Sequence, residues 1–223
     1  MVKICATTVL AILCVAASLY AWNSGDPDQF VRDYGYSTVN MLSGNFYVLL
    51  TSIFLHSDFS HLISNIFVLT IFGLTLEGEI GCRRFLLLFF GGAFFGDLLS
   101  SLIYNPAVPA IGASGGVFAI IAATMLIKPI PTDYYFPMPL GVIAIGYLIY
   151  ALAGLITNYP PNVSHIAHLG GALVGLIYGC QRQGLKKTLQ ILMVVTVILL
   201  AVPIIWNFWS ILLGLITGSI SLS

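Results

Sequence analysis

The stretch Asn105-Pro106-Ala107-Val108-Pro109-Ala110-Ile111-Gly112-Ala113-Ser114-Gly115-Gly116 is where a loop turns into an apolar helix. Each proline lacks a backbone donor and restricts the residue before it, so the Asn105–Pro109 segment cannot be helix interior. From Ser114 the chain runs apolar to Ile127, which puts Ser114 at or beside a helix N-terminus. Free N–H groups and the positive end of the helix dipole would favour a developing oxyanion there. A Ser N-cap with glycines for close packing is the plainer explanation of a lone Gly-x-Ser-Gly. The rest of the chain decides between them.

Of 223 residues, 59% are hydrophobic and 7% charged, with a mean hydropathy of +1.01. Soluble domains carry roughly 25% charged residues, so this is an integral membrane protein, expected to be all-α and polytopic. With zero formal net charge and no basic run, nothing suggests nucleic acid as a partner. Cys5, Cys14, Cys82 and Cys180 form no Cys-x-x-Cys pair, which argues against a zinc site or a disulfide framework. Neither a metal nor a cofactor is expected. Without a repeat or linker, residues 1–223 read as a single transmembrane domain.

Seven apolar segments follow. Ile4–Trp22 fits a signal peptide or a retained helix, and its length without a clean Ala-x-Ala site favours the helix. Residues 23–55 mix Asp26, Pro27, Asp28, Arg32 and Asp33 with aromatics and read as an interfacial or partly re-entrant loop. His61–Ile80 and Phe85–Tyr104 are joined by Gly81-Cys82-Arg83-Arg84. Ser114–Ile127, Leu140–Ile156 and Ile166–Gly179 come next, the last after the loop Thr157–Asn162. A basic turn, Gln181–Lys187, precedes an extra C-terminal helix over 189–216, where Pro203 suggests a kink and Trp206 and Trp209 an interface.

With the N-terminus in the cytoplasm, Lys3, Arg83, Arg84, Lys128, Arg182, Lys186 and Lys187 fall inside and Arg32 alone falls outside. The positive-inside rule therefore sets the orientation. All four histidines and Ser114 then lie toward the outer face. The fourteen residues Ser114–Ile127 span about 21 Å against a hydrocarbon core of ~30 Å. Ser114 would sit on the order of 10 Å below the outer boundary, a depth that demands a water-filled cavity shielded from lipid.

Two further stretches supply chemistry. In His56-Ser57-Asp58-Phe59-Ser60-His61-Leu62-Ile63-Ser64-Asn65, His61 and Asn65 share one helix face at i, i+4. Asn is a poor zinc ligand, so a polar packing cluster or a functional pair are the readings. In Ser164-His165-Ile166-Ala167-His168-Leu169-Gly170-Gly171, the residues Gly171, Gly175 and Gly179 form a small-residue stripe that admits another helix closely. Gly115, Ala119 and Ala123 continue a matching stripe from Ser114. If the stripes pack, His168 faces Ser114 at one end, a base within reach of a nucleophile. His165 is the rival base, but it lies nearer the loop and about 60° round the helix.

These motifs, Gly112-Ala113-Ser114-Gly115, His56/His61/Asn65 and Ala167-His168-Leu169-Gly170-Gly171 with Gly175, resemble in order and spacing those of rhomboid intramembrane serine proteases. The likeness covers about residues 47–179 and implies a six-helix core that includes the first apolar segment, to which the C-terminal stretch adds a seventh helix. It implies Ser114 as nucleophile and His168 as general base, with no aspartate. It also implies an oxyanion hole from the Ser114 N–H, His61 and Asn65, with His56 supporting the loop and Gly112 shaping the turn. Glu77 falls where members often carry glutamate. Two departures stand out: many rhomboids have Trp-Arg where this chain has Tyr47-Val48, and many bacterial members have tyrosine where it has Phe118. Phe118 keeps a ring face for the base but no hydroxyl.

The resemblance implies a multi-pass enzyme of the cell membrane, whose partners are membrane lipids and transmembrane substrates cut near the outer face. Two rival readings are a non-catalytic rhomboid-like protein that binds membrane helices, and a small transporter using Asp97, an acidic residue inside a span.

Overall fold

A helix apolar on every side has to be surrounded by protein or lipid. α7 (Ser114–Ile127) is surrounded by protein, every residue from Gly115 to Leu126 being buried. This computed structural model describes residues 5–129, 140–161 and 163–216. Lys3, Ile4 and Asn162 lie outside the described residues, as do the side chains of Pro203 and Trp206. Around α7 stand α5 (Phe59–Ile80), α6 (Cys82–Ser100), α8 (Leu140–Thr157) and α9 (His165–Gln183). α1 (Ala6–Trp22) packs outside α5, and α10 (Leu185–Ile216) lies against α8 and α9. The fold is an all-α membrane bundle. Among the described residues, α5 and α8 are each long and apolar enough to cross a membrane by themselves.

Small residues let α6, α7 and α9 meet backbone to backbone. Gly171 sits on the Gly115 carbonyl and Gly175 on that of Ala119, places where a Cβ would collide. Gly92 of α6 likewise faces Ala119, and Gly96 faces Ala167. This is the small-residue contact expected from the two stripes. It departs from that expectation at its inner end, where Gly179 meets Leu126 rather than Ala123. Side chains lean toward a helix N-terminus, so the residue covering a spot lies further along the chain than face counting suggests.

Other boundaries differ from expectation. A single glycine joins α5 to α6, and another joins α9 to α10: Gly81 at φ +79° and Gly184 at φ +80°. Residues 82–84 and 185–187 already belong to the following helices. Basic residues next to a glycine read as a loop, yet the positive φ alone reverses the chain. α6 stops at Ser100, short of Tyr104, and gives way to turns.

The first loop is partly helical, with α2 (Pro27–Tyr34), α3 (Thr38–Leu42), α4 (Val48–Thr51) and a 3-10 turn at Ser52–Phe54. Asp26 caps α2 through the Gln29 N–H at 2.9 Å, and Ser37 caps α3 through that of Asn40 at 3.1 Å. Where many rhomboids carry Trp-Arg, Val48 is buried and the Tyr47 ring lies 6.0 Å from that of Tyr34. The Thr51 hydroxyl donates to the Tyr34 carbonyl at 2.6 Å, closing the loop on itself. The loop also grips the segment before α7. Tyr36 and Ala110 exchange two backbone hydrogen bonds, the Val39 N–H donates to the Pro106 carbonyl at 3.0 Å, and the Gly112 N–H donates to the Ser52 carbonyl at 2.9 Å.

Candidate active site

Ser114 opens α7 without capping it: Ala113 holds the N-cap position and makes no side-chain cap bond. The Ser114 hydroxyl is thereby available to α9, and its Oγ lies 2.9 Å from His168 Nε2. The Gly171–Gly115 contact one turn along fixes that approach. His168 is buried, and the Phe118 ring stacks on it, with centroids 4.3 Å apart and planes within 9°. Tyr147 of α8 stands edge-on to Phe118 at 6.1 Å. His165, the rival base, does not reach Ser114. Its ring is buried against Gly154 of α8, edge-on to His168 at 6.0 Å.

On the opposite wall, α5 begins at an Asp58 cap that accepts from the His61 N–H at 2.9 Å. Those bonds hold the Asp58 carboxyl below its usual range, the His61 N–H contributing most and the Ser57 hydroxyl next. Ser57 Oγ is 2.8 Å from Asp58 Oδ2 and 3.2 Å from His61 Nδ1. With the hydroxyl proton turned to Asp58, the Nδ1–H of His61 donates to Ser57 Oγ. Nε2, the nitrogen that faces Gly112, carries the proton only when that hydroxyl turns from Asp58 to Nδ1 or when the ring is protonated. A Cβ on Gly112 would lie 2.9 Å from that nitrogen and 3.9 Å from Ser114 Oγ. Gly112 itself has φ +126°, a conformation glycine alone adopts without strain. Asn65, one turn below His61, donates from Nδ2 to the His61 carbonyl at 2.9 Å, so in this state its amide is engaged on its own helix.

His56 lies behind this wall. Its Nδ1 is 3.1 Å from Ser18 Oγ on α1, and its carbonyl accepts from Trp22 Nε1 at 2.8 Å. Burial, with His61 alongside, pushes its imidazole down to about 3, so it stays neutral and pins the end of the first loop to α1. α1 is tied at its other end by Glu77 of α5, whose carboxylate accepts from the Ala6 and Thr7 N–H groups and the Thr7 hydroxyl at 2.7–2.9 Å.

Ser114, His168, His61, Asn65 and Phe118 all line one cavity of about 700 Å³, walled by residues of α5, α7, α8 and α9. Val68, Ile121 and Tyr147 give it apolar lining, while Ser57, Ser64 and Ser164 give it polar lining. Sequence reasoning missed Ser57, Tyr147 and Ser164. They are isolated letters whose roles depend on contacts between distant helices. Ser52, also missed, holds Gly112 through its backbone carbonyl, which no side-chain pattern reports.

The rhomboid domain family model matches residues 43–184. Among curated relatives, the mitochondrial RHOMBOID-like protein 12 of Arabidopsis thaliana is 29% identical over 193 residues, covering 76% of this chain and 56% of that protein. The chloroplastic Rhomboid-like protein 11 of the same plant is 34% identical, covering 59% and 50% respectively. Mitochondrial Rhomboid protein 1 of Saccharomyces cerevisiae is 29% identical, covering 59% and 40%. This chain thus spans about half the length, or less, of these relatives. The domain match takes in every helix that walls the cavity, and on that ground the chain belongs to the rhomboid family.

Proposed function

We propose that this chain is an intramembrane serine endopeptidase working with a Ser114–His168 dyad. The carrying observation is the 2.9 Å contact between Ser114 Oγ and His168 Nε2 in the lining of a cavity among apolar helices. Ser114 Oγ attacks a peptide carbonyl carbon while its proton passes to His168 Nε2. The carbonyl oxygen takes the negative charge and is met by the Ser114 N–H at the start of α7, by His61 Nε2–H once the Ser57 hydroxyl turns from Asp58 to Nδ1, and by the Asn65 amide, which must turn from the His61 carbonyl. As the intermediate collapses, the C–N bond breaks and His168 returns the proton to the leaving amine. Water, deprotonated by His168, then cleaves the acyl ester and restores the Ser114 hydroxyl.

A helical peptide hides its carbonyls in its own hydrogen bonds, so the substrate has to unwind locally before attack. The apolar lining from Val68, Ile121 and Tyr147 fits a membrane-spanning segment, and the serines Ser57, Ser64 and Ser164 fit its unwound end. The substrates are therefore membrane-anchored proteins cut near the outer face of the cell membrane, with the enzyme's N-terminus in the cytoplasm. Purified protein in liposomes, given a single-span reporter, should cleave it, and Ser114→Ala and His168→Ala should each abolish cleavage. Removing one oxyanion donor with Asn65→Ala should lower kcat by ~10²–10³. Cleavage that survives Ser114→Ala would sink the dyad, and binding of reporters without cleavage by any form would favour a helix-binding protein.

A further inference from the structure

α6 and α9 run antiparallel, with Gly96 against the Ala167 carbonyl and Gly91 against Val174. Continued along the two helices, that register brings Arg83 and Arg84, in the first turn of α6, level with Arg182 in the last turn of α9. The reversal at Gly184 then sets Lys186 and Lys187 close by, in the first turn of α10. All five cations are exposed. Among the described residues the ion pairs are Arg32 with Asp26 and Lys128 with Glu79, so none of the five has an acidic partner. Glu77, the other described carboxylate at this end, is taken up by the N–H groups of α1. No acidic residue stands in the first turn of α6 or α10. The positive helix ends therefore add to the repulsion among Arg83, Arg84, Lys186 and Lys187 instead of easing it.

We propose that Arg83, Arg84 and Arg182 bind the phosphate of an acidic phospholipid whose acyl chains lie along α6 and α9. A guanidinium is always charged, and its planar fork matches two phosphate oxygens at once. The side chains beside the arginines say that the anion carries hydrocarbon. Leu87, one turn along α6 from Arg83 and Arg84, is 67% exposed, and Ile177, near its level on α9, is 50% exposed. On a membrane bundle such apolar surface faces acyl chains. A soluble anion has nothing to set against Leu87 and Ile177, whereas a diacyl lipid covers them while its headgroup meets the arginines. The lipid also offsets the like charges that the close approach of α6 to α9 forces together. It thereby secures one end of a helix pair whose other end carries His168.

The test titrates the full chain in detergent micelles with phosphatidylglycerol or phosphatidylcholine and counts bound lipid by native mass spectrometry. A basic residue at the membrane surface is worth about fivefold in affinity for an acidic lipid. Wild type should therefore hold phosphatidylglycerol about a hundredfold more tightly than phosphatidylcholine. The combined variant Arg83→Gln, Arg84→Gln, Arg182→Gln should bring the two lipids to within about threefold of each other. Arg182→Gln alone should cost about fivefold, and it decides the matter if thermal unfolding in phosphatidylcholine bicelles shows the triple variant to be unfolded. Arg32→Gln, at the opposite end, should leave the preference unchanged. Equal binding of the two lipids by wild type overturns the inference, as does wild-type preference in the folded arginine variants. A loss as large in Arg32→Gln would mean that net charge, and not this site, selects the lipid. Glycerol 3-phosphate that displaces phosphatidylglycerol at equal concentration would make the ligand a soluble anion and overturn the lipid assignment.

Discussion

At Gly112 the backbone stands at φ +126°, and the position of a Cβ lies 2.9 Å from His61 Nε2. Alanine there would meet two obstacles: a conformation that L residues rarely adopt, and a ring that must move away from Ser114. Gly112→Ala is thus expected to displace the His61 donor and lower kcat by ~10²–10³, the cost of one oxyanion donor, with a much smaller change in KM. A steady-state comparison on one reporter checks it, and a variant with wild-type kcat would remove His61 Nε2 from the proposed mechanism. The contact between Ser114 and His168 was legible because the four-residue spacing of small residues fixes which faces meet, and both residues sit at the ends of those faces. Ser52, Ser57 and Asp97 were not legible as neighbours of Ser114. Loop hydrogen bonds and helix crossings bring them there, across 62, 57 and 17 residues of sequence.

On the scale of the element, α5 is fastened at both ends by carboxylates with different duties. Asp58 caps its own N-terminus, and Glu77 near its C-terminus caps α1, placing negative charge against exposed N–H groups and the positive helix end. Asp58 titrates below its ordinary value in the folded chain. A depressed folded pKa means stability that is fully present above the unfolded value, near 4, and lost as pH falls through the folded value. The group is exposed, so screening trims its electrostatic share and the cap geometry carries the rest. Asp58→Ala should cost about 1 kcal/mol near pH 7 and less at pH 3, whereas Asp58→Asn should hold most of the cap with little pH dependence. Thermal unfolding in bicelles at both pH values decides this, and an alanine deficit as large at pH 3 as at pH 7 would refute the carboxylate's role. Helix cores were plain from hydropathy, because a lipid-immersed chain announces its spans by composition. The joints were not, since a helix–glycine–helix reversal at Gly81 or Gly184 leaves no polar gap to read.

Across the whole molecule, charge and chemistry separate to opposite ends. Arg83, Arg84, Lys128, Arg182, Lys186 and Lys187 stand at the ends of α6, α7, α9 and α10, drawn together where Lys128 bonds Glu79 at 2.6 Å and Gln183 reaches the Ile127 carbonyl at 3.4 Å. Arg32 lies on α2, in the first loop that grips the segment leading to Ser114. This segregation was legible in the sequence, because basic side chains resist translocation one loop at a time. What the alternation of loops could not convey is that the first loop, at the end opposite the basic residues, is built of short helices rather than left as open loop. The orientation follows if the basic end is cytoplasmic, and two single-cysteine variants test it. One keeps exposed Cys82 at the basic end, and the other carries Asp28→Cys on exposed α2. A membrane-impermeant maleimide applied to intact cells should label Asp28→Cys and spare the Cys82 variant, with both labelled after lysis. The reverse pattern would turn the molecule over and put Ser114 toward the cytoplasm. The Ser–His contact would be untouched, but every substrate argument that starts from the outer face would have to be remade from the inner one.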